Sequence, residues 1–175
     1  MNQNAIRSGL IIGIIGIIVS SLLYIIDSTS FGVWWLMILL GILNLVLIVV
    51  FGVRYRNENG GYLSFKDSYI YSIITMSVMV VIGTIFSIIL FQVIDPELPE
   101  IIADASVENA EAMMQRFGAP EETMDETLEK TRADTLDRFT TMGMVKGVGI
   151  RILINLVVCL ILAGIIKRNE PVDEL

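Results

Sequence analysis

A chain of 175 residues that is 54% hydrophobic, with a mean hydropathy of +0.73, is one domain long and too apolar for a soluble domain of that size. A net charge of −7 and a pI near 4.5 set it against nucleic acid, whose phosphates repel an acidic protein. Histidine is absent and Cys159 is the single cysteine, which excludes histidine-based catalysis, intramolecular disulfides and the usual zinc ligand sets.

The first long apolar run, Gly9–Ile26, follows Arg7 and contains Gly9, Gly13, Gly16 and Ser20 at spacings of 4, 3 and 4. Those positions share one helical face without bulky side chains, the kind of face on which helices in lipid approach closely. It suits packing within one bundle and equally suits contact with a second copy, so homo-oligomerisation stays open. Arg7 and Ser28-Thr29-Ser30 also resemble the flanks of a signal peptide. The 18 apolar residues nevertheless exceed the usual h-region of about 7–15, so the segment is expected to be retained as a span.

The second run, Val33–Val53, opens on Trp34-Trp35, rings that favour a membrane interface, and carries Gly41, Asn44 and Gly52. The connection that follows holds Gly60-Gly61, which permits a tight reversal, then Tyr62. Ser64 and Asp67, three residues apart, form an Asp variant of a capping box for the next helix. Tyr62 and Phe65 would rest at the interface, and Lys66 would meet lipid phosphates. No base–nucleophile pair accompanies them, so the segment reads as an interfacial anchor and helix start.

The third run, Ser68–Ile94, spans 27 residues, about 40 Å as a helix. That exceeds a hydrocarbon core of roughly 30 Å, so it must tilt or protrude. Ser72, Met76, Met79, Gly83 and Ser87 line one face. Residues 95–144 then hold 13 acids and 4 bases, a local charge of −9. Asp95-Pro96-Glu97 supplies a cap, a proline and a first-turn acid for a helix, and Gly118-Ala119-Pro120 a stop and restart. Leu98, Ile102, Ala105, Met113 and Phe117, and then Met124, Leu128, Leu136 and Phe139, predict the apolar stripes of a helical hairpin. Glu126–Lys130 and Asp134–Arg138 have the spacing of favourable pairs. The hairpin either packs upon itself as a solvated element or docks a protein partner through residues 97–142. An acidic cation site is also open, though the segment lacks the D-x-D-x-D-G spacing of a calcium loop.

The fourth run, Val148–Ile166, places Gly147, Arg151, Asn155, Cys159 and Ala163 at successive i+4 positions. Cys159, with no basic neighbour to activate it, reads as a small packing residue. Arg151 is the one charge inside a span. It either snorkels to the headgroups, with Lys146 above it at the interface, or pairs with Asn155 and an acid such as Asp95 or Asp27 in a polar pocket. The spacing is also that of a packing seam, with Gly9, Gly13, Gly16, Gly83 and Gly147 as its closest-contact positions.

All four runs have about the 20 residues a membrane helix needs, and none contains a proline or an acid. Discontinuous helices with central charges, common in transporters, are missing. Arg7, Arg54, Arg56, Lys66, Lys167 and Arg168 flank the spans on one side, and the short opposite loop 27–32 has no base. The positive-inside rule therefore puts both termini in the cytoplasm.

Gly60–Phe65, followed by Lys66 and Asp67, resembles the stretch before the third span in a family of bacterial membrane proteins, domain-of-unknown-function family 4199. The resemblance extends to the order of four spans and the long acidic helical loop before the last. It implies architecture, and brings no activity, cofactor or catalytic residue. The expectation is an all-α, four-span inner-membrane protein with an acidic helical hairpin outside, binding lipid, with no cofactor and no catalytic site. Its expected role is a scaffold or accessory subunit, with a small transporter, channel or lipid-handling subunit using the fourth span's polar stripe as the alternative.

Overall fold

A computed structural model describes residues 2–118 and 120–170 of the chain. The described part is helical: α1 (Asn2–Ile26), a 3₁₀ turn (Ser28–Gly32), α2 (Trp34–Glu58), α3 (Phe65–Ile89) extended by a π turn (Leu90–Ile94), α4 (Leu98–Phe117), α5 (Glu121–Phe139) and α6 (Thr141–Ile166). Four helices are long and apolar enough to cross a membrane, with limits Gln3–Ile26, Trp34–Glu58, Phe65–Ile94 and Met142–Ile166. The third, at 30 residues and so about 45 Å, keeps the length expected to outrun the hydrocarbon core.

Each of the four long helices overruns its apolar run at one end. α2 continues past Val53 with an Arg54–Glu58 pair at i,i+4 and 3.0 Å, and Asn59 then hydrogen-bonds the Tyr55 carbonyl. Gly60 and Gly61, at φ 81° and 87°, make the reversal that side-chain-bearing residues resist. α4 ends on Gly118 in the left-handed conformation, its N–H donating to Gln115 O at 3.1 Å. Asp95 starts α4 as expected, its Oδ1 accepting from the Glu97 and Leu98 amides. The chain bends before the fourth span at Thr140, three residues before Gly143. Thr140 has extended backbone and its hydroxyl accepts from the Gly143 amide at 2.9 Å, capping α6.

Two compact units divide the chain. The first comprises the chain to Gly16, Gly41–Gly83, and the chain from Gly149 onward. Its core gathers Ala5, Ile12, Ile48, Tyr55, Leu63, Tyr71, Met76, Cys159, Leu162 and Ile166. On α1 the buried positions are Ala5, Ser8, Gly9, Ile12 and Gly13, a helical stripe set by spacings of three and four. α1 meets α3 so closely that a Cβ on Gly9 would lie 2.6 Å from the Thr75 carbonyl oxygen, and one on Gly13 3.2 Å from Ile82. Gly52 gives α2 a similar approach to Ile166. Gly16, Gly41 and Gly83 have nothing within 4 Å of that position.

The second unit comprises Ile17–Leu40 and Thr84–Val148. Leu90, Leu98 and Ile102 form its buried centre, with Tyr24, Phe31, Phe86, Phe91 and Phe139 packed around it. The 3₁₀ turn sits on α4 at Gly32, where a Cβ would lie 2.9 Å from that of Ala105. Asp27 caps the turn, accepting from the Thr29 amide (3.0 Å) and hydroxyl (2.6 Å), which hold its carboxyl below the usual carboxylate range. Trp34 and Trp35 are exposed, as interfacial rings require.

Candidate functional site

The polar side chains of the first unit converge in two places. One is a hydroxyl seam between α1 and α3. Tyr71 donates to Ser8 Oγ at 2.7 Å and Thr75 to the Ala5 carbonyl at 3.2 Å, while Ser72 donates to its own Ser68 carbonyl at 2.9 Å. Tyr71, Ser68, Ser72 and Thr75 are fully buried, and the Tyr71 ring stacks on Tyr55 with centroids 5.1 Å apart. Such bonds hold membrane helices together where lipid supplies no hydrophobic contrast. Ser68 Oγ is buried without a partner, an arrangement that normally costs free energy. The expected α3 face is inward, Ser72 and Met76 being buried and Met79 half-buried. Ser68 and Thr75 continue it, a signal carried by the spacing of hydroxyls along α3.

The other place is the Gly60–Asp67 segment and the end of α6. Ser64 accepts from the Asp67 amide at 3.1 Å, as the capping box requires. The return bond differs: Asp67 accepts from the Ser64 hydroxyl at 2.7 Å, so the two side chains close upon each other. Leu63 and Arg168 exchange backbone hydrogen bonds of 2.8 and 2.9 Å, a one-residue antiparallel bridge. Arg56 donates to the Ile166 carbonyl at 2.9 Å, satisfying one of the open acceptors at the end of α6 and complementing the negative end of its dipole, while its Nε stays buried and unpartnered. The Lys167 ammonium lies 5.7 Å from the Phe65 ring centre, and the Arg168 guanidinium 5.7 Å from that of Tyr62. Phe65 stacks in turn with Tyr69.

Along α6 the expected stripe changes character. Cys159 and Ala163 are buried, Asn155 is half-buried, and Arg151 is exposed between exposed Ile150 and Ile152. The acids considered for Arg151 are engaged elsewhere: Asp95 accepts from the Tyr24 hydroxyl at 3.1 Å, and Asp27 from Thr29. Lys146 is exposed, and Gly147 has nothing within 4 Å of a Cβ position. Cys159 fills the packing role, its thiol 3.6 Å from the Met76 sulfur. Maleimide should therefore label it on the order of 100-fold more slowly in the folded protein than after denaturation. Equal rates in the two states, followed by mass spectrometry, would contradict that packing.

In the hairpin an arginine ties the arms. Arg132 on α5 pairs with both Glu100 and Asp104 on α4, its Nε 3.2 Å from Asp104, and these carboxylates raise its pKa further above the ordinary arginine value. Neither expected i,i+4 pair forms an ion pair among the described residues, where the arginine bridging the arms takes their place. Nor do three acids converge as a metal-ligand set among them.

The family described as Protein of unknown function (DUF4199) matches residues 7–168, nearly the whole chain. The chain belongs to the DUF4199 family. No curated protein and no solved structure matches it. The DUF4199 match takes in the four long helices, the Gly60–Asp67 segment and the hairpin, and reaches Arg168, the residue that bridges to Leu63.

Proposed function

We propose that this DUF4199 member is a non-enzymatic scaffold or accessory subunit of a bacterial cytoplasmic membrane, with both termini inside and the α4–α5 hairpin outside, displayed to a protein partner. The observation that supports it most is the construction of the hairpin. Its arms are cross-tied by Arg132, and its root is seated on the 3₁₀ turn through Gly32. Glu108, Asp125, Glu126, Glu129 and Asp134 are left exposed. A rigid element whose acids point to solvent suits recognition of a basic surface, where complementary charge sets partner choice and association rate. The one-sided distribution of bases supports the orientation.

Photo-crosslinking residues placed at Glu108 and Glu129 in whole cells should trap a discrete partner. Reversing charge at Asp125, Glu126 and Asp134 should abolish the adduct. The reading fails if the hairpin positions trap nothing while Arg151→Leu changes solute flux in reconstituted vesicles. That outcome would favour the transport alternative.

A further inference from the structure

We infer that Lys167 and Arg168 form a binding site for the phosphate of an anionic phospholipid headgroup. Exposed basic residues at the end of a span ordinarily attract acidic lipid as a diffuse cloud of flexible side chains. Here the two cations are fixed in place at both ends. Their backbone is held by the Leu63–Arg168 bridge, with bonds of 2.8 and 2.9 Å, and the preceding Ile166 carbonyl is held by Arg56. Their heads lie over the rings of Phe65 and Tyr62, each 5.7 Å from the ring centre. Both residues remain exposed.

Lysine and arginine side chains ordinarily give up much rotamer freedom on binding, and a pair already docked on ring faces gives up less. Among the described residues no carboxylate pairs with either cation. Glu58 pairs with Arg54 and Asp67 closes on Ser64. Glu170, two residues beyond Arg168, forms no ion pair among the described residues. Tyr62 and Phe65 are amphipathic or apolar rings of the kind that settle at headgroup depth, which places the cations at the level of lipid phosphates. The assignment does not depend on which side of the membrane this end faces, and stands apart from the role of the hairpin.

Native mass spectrometry of the full chain, incubated with equal phosphatidylglycerol and phosphatidylcholine, tests it. Wild type should retain phosphatidylglycerol preferentially, and K167Q/R168Q should lower that preference by about tenfold. Y62L/F65L keeps every charge but removes the rings, and should lower it by about threefold. R7Q/R54Q removes two charges from the same unit and frees Glu58, and should change it by less than about twofold. Slow Cys159 labelling verifies that each variant is folded. No preference in wild type, equal losses in K167Q/R168Q and R7Q/R54Q, or an unchanged preference in Y62L/F65L would each overturn the site.

Discussion

Gly9→Ala should destabilise the protein by about 1–3 kcal/mol, whereas Gly16→Ala should leave it unchanged or add up to about 1 kcal/mol. The two glycines lie one face and seven residues apart on α1, so helix propensity favours alanine equally at both. They differ in what the added methyl meets. At Gly9 it would lie 2.6 Å from the Thr75 carbonyl oxygen and 2.8 Å from the Val78 Cβ. Neither atom can swing aside on a side-chain rotation, so α1 must move off α3. That movement also stretches the Thr75–Ala5 and Tyr71–Ser8 hydrogen bonds, made by the turn of α1 just before Gly9. At Gly16 the methyl meets nothing within 4 Å. Unfolding in mixed micelles of rising dodecyl sulfate, followed by far-ultraviolet circular dichroism, measures both. Equal effects would mean that α1 and α3 do not make this contact.

Gly32→Val should have its effect in the hairpin. A Cβ at Gly32 would lie 2.9 Å from the Ala105 Cβ and 3.1 Å from the Ser106 amide nitrogen, and the valine branches add to the crowding. α4 must lift from the 3₁₀ turn at a cost of about 1–3 kcal/mol. Leu98 and Ile102, buried two turns and one turn before Ser106, then lose part of their cover. Hydrogen exchange should quicken along 98–110 and change little around Tyr71. Ala105→Gly removes the atom the new side chain strikes, so Gly32→Ala combined with it should recover part of what Gly32→Ala loses. The recovery is partial because Ser106 N remains close and glycine costs helix about 1 kcal/mol. Wild-type exchange rates in Gly32→Val would show that the turn does not seat the hairpin.

Where the sequence was legible, the signal was local. Lipid tolerates no unpaired backbone, so each span announces itself as an unbroken apolar run, and the four helices lie where those runs predict. The Gly60-Gly61 reversal, the Ser64–Asp67 cap and the Gly118 stop depend on residues within four of one another, and all three were readable. Helix ends were less so, because Asn2–Ser8 and Arg54–Glu58 are polar yet continue the helix past the apolar run. The small-residue faces were legible as faces, but not as contacts. Gly9 and Gly13 are crowded while Gly16 and Gly83 are open, and nothing in the spacing separates them.

The remaining features join residues far apart in the chain. Arg56 reaches Ile166, Leu63 pairs with Arg168, and Arg132 crosses to Glu100 and Asp104. A helical period describes one helix, so it cannot show which base will meet which carbonyl or acid on another. For Arg132 it misled: the i,i+4 spacing drew attention to Lys130 and Arg138 on either side. The DUF4199 match extends the architecture to a family but assigns no chemistry.

The proposed topology puts the hairpin outside the membrane and the Gly60–Asp67 segment in the cytoplasm. With Cys159→Ser as background, Glu129→Cys and Asn59→Cys can each be probed in intact spheroplasts with a membrane-impermeant maleimide. Glu129→Cys should be labelled in intact spheroplasts and Asn59→Cys only after permeabilisation. Labelling of both in intact spheroplasts, or the reverse order, would contradict that topology.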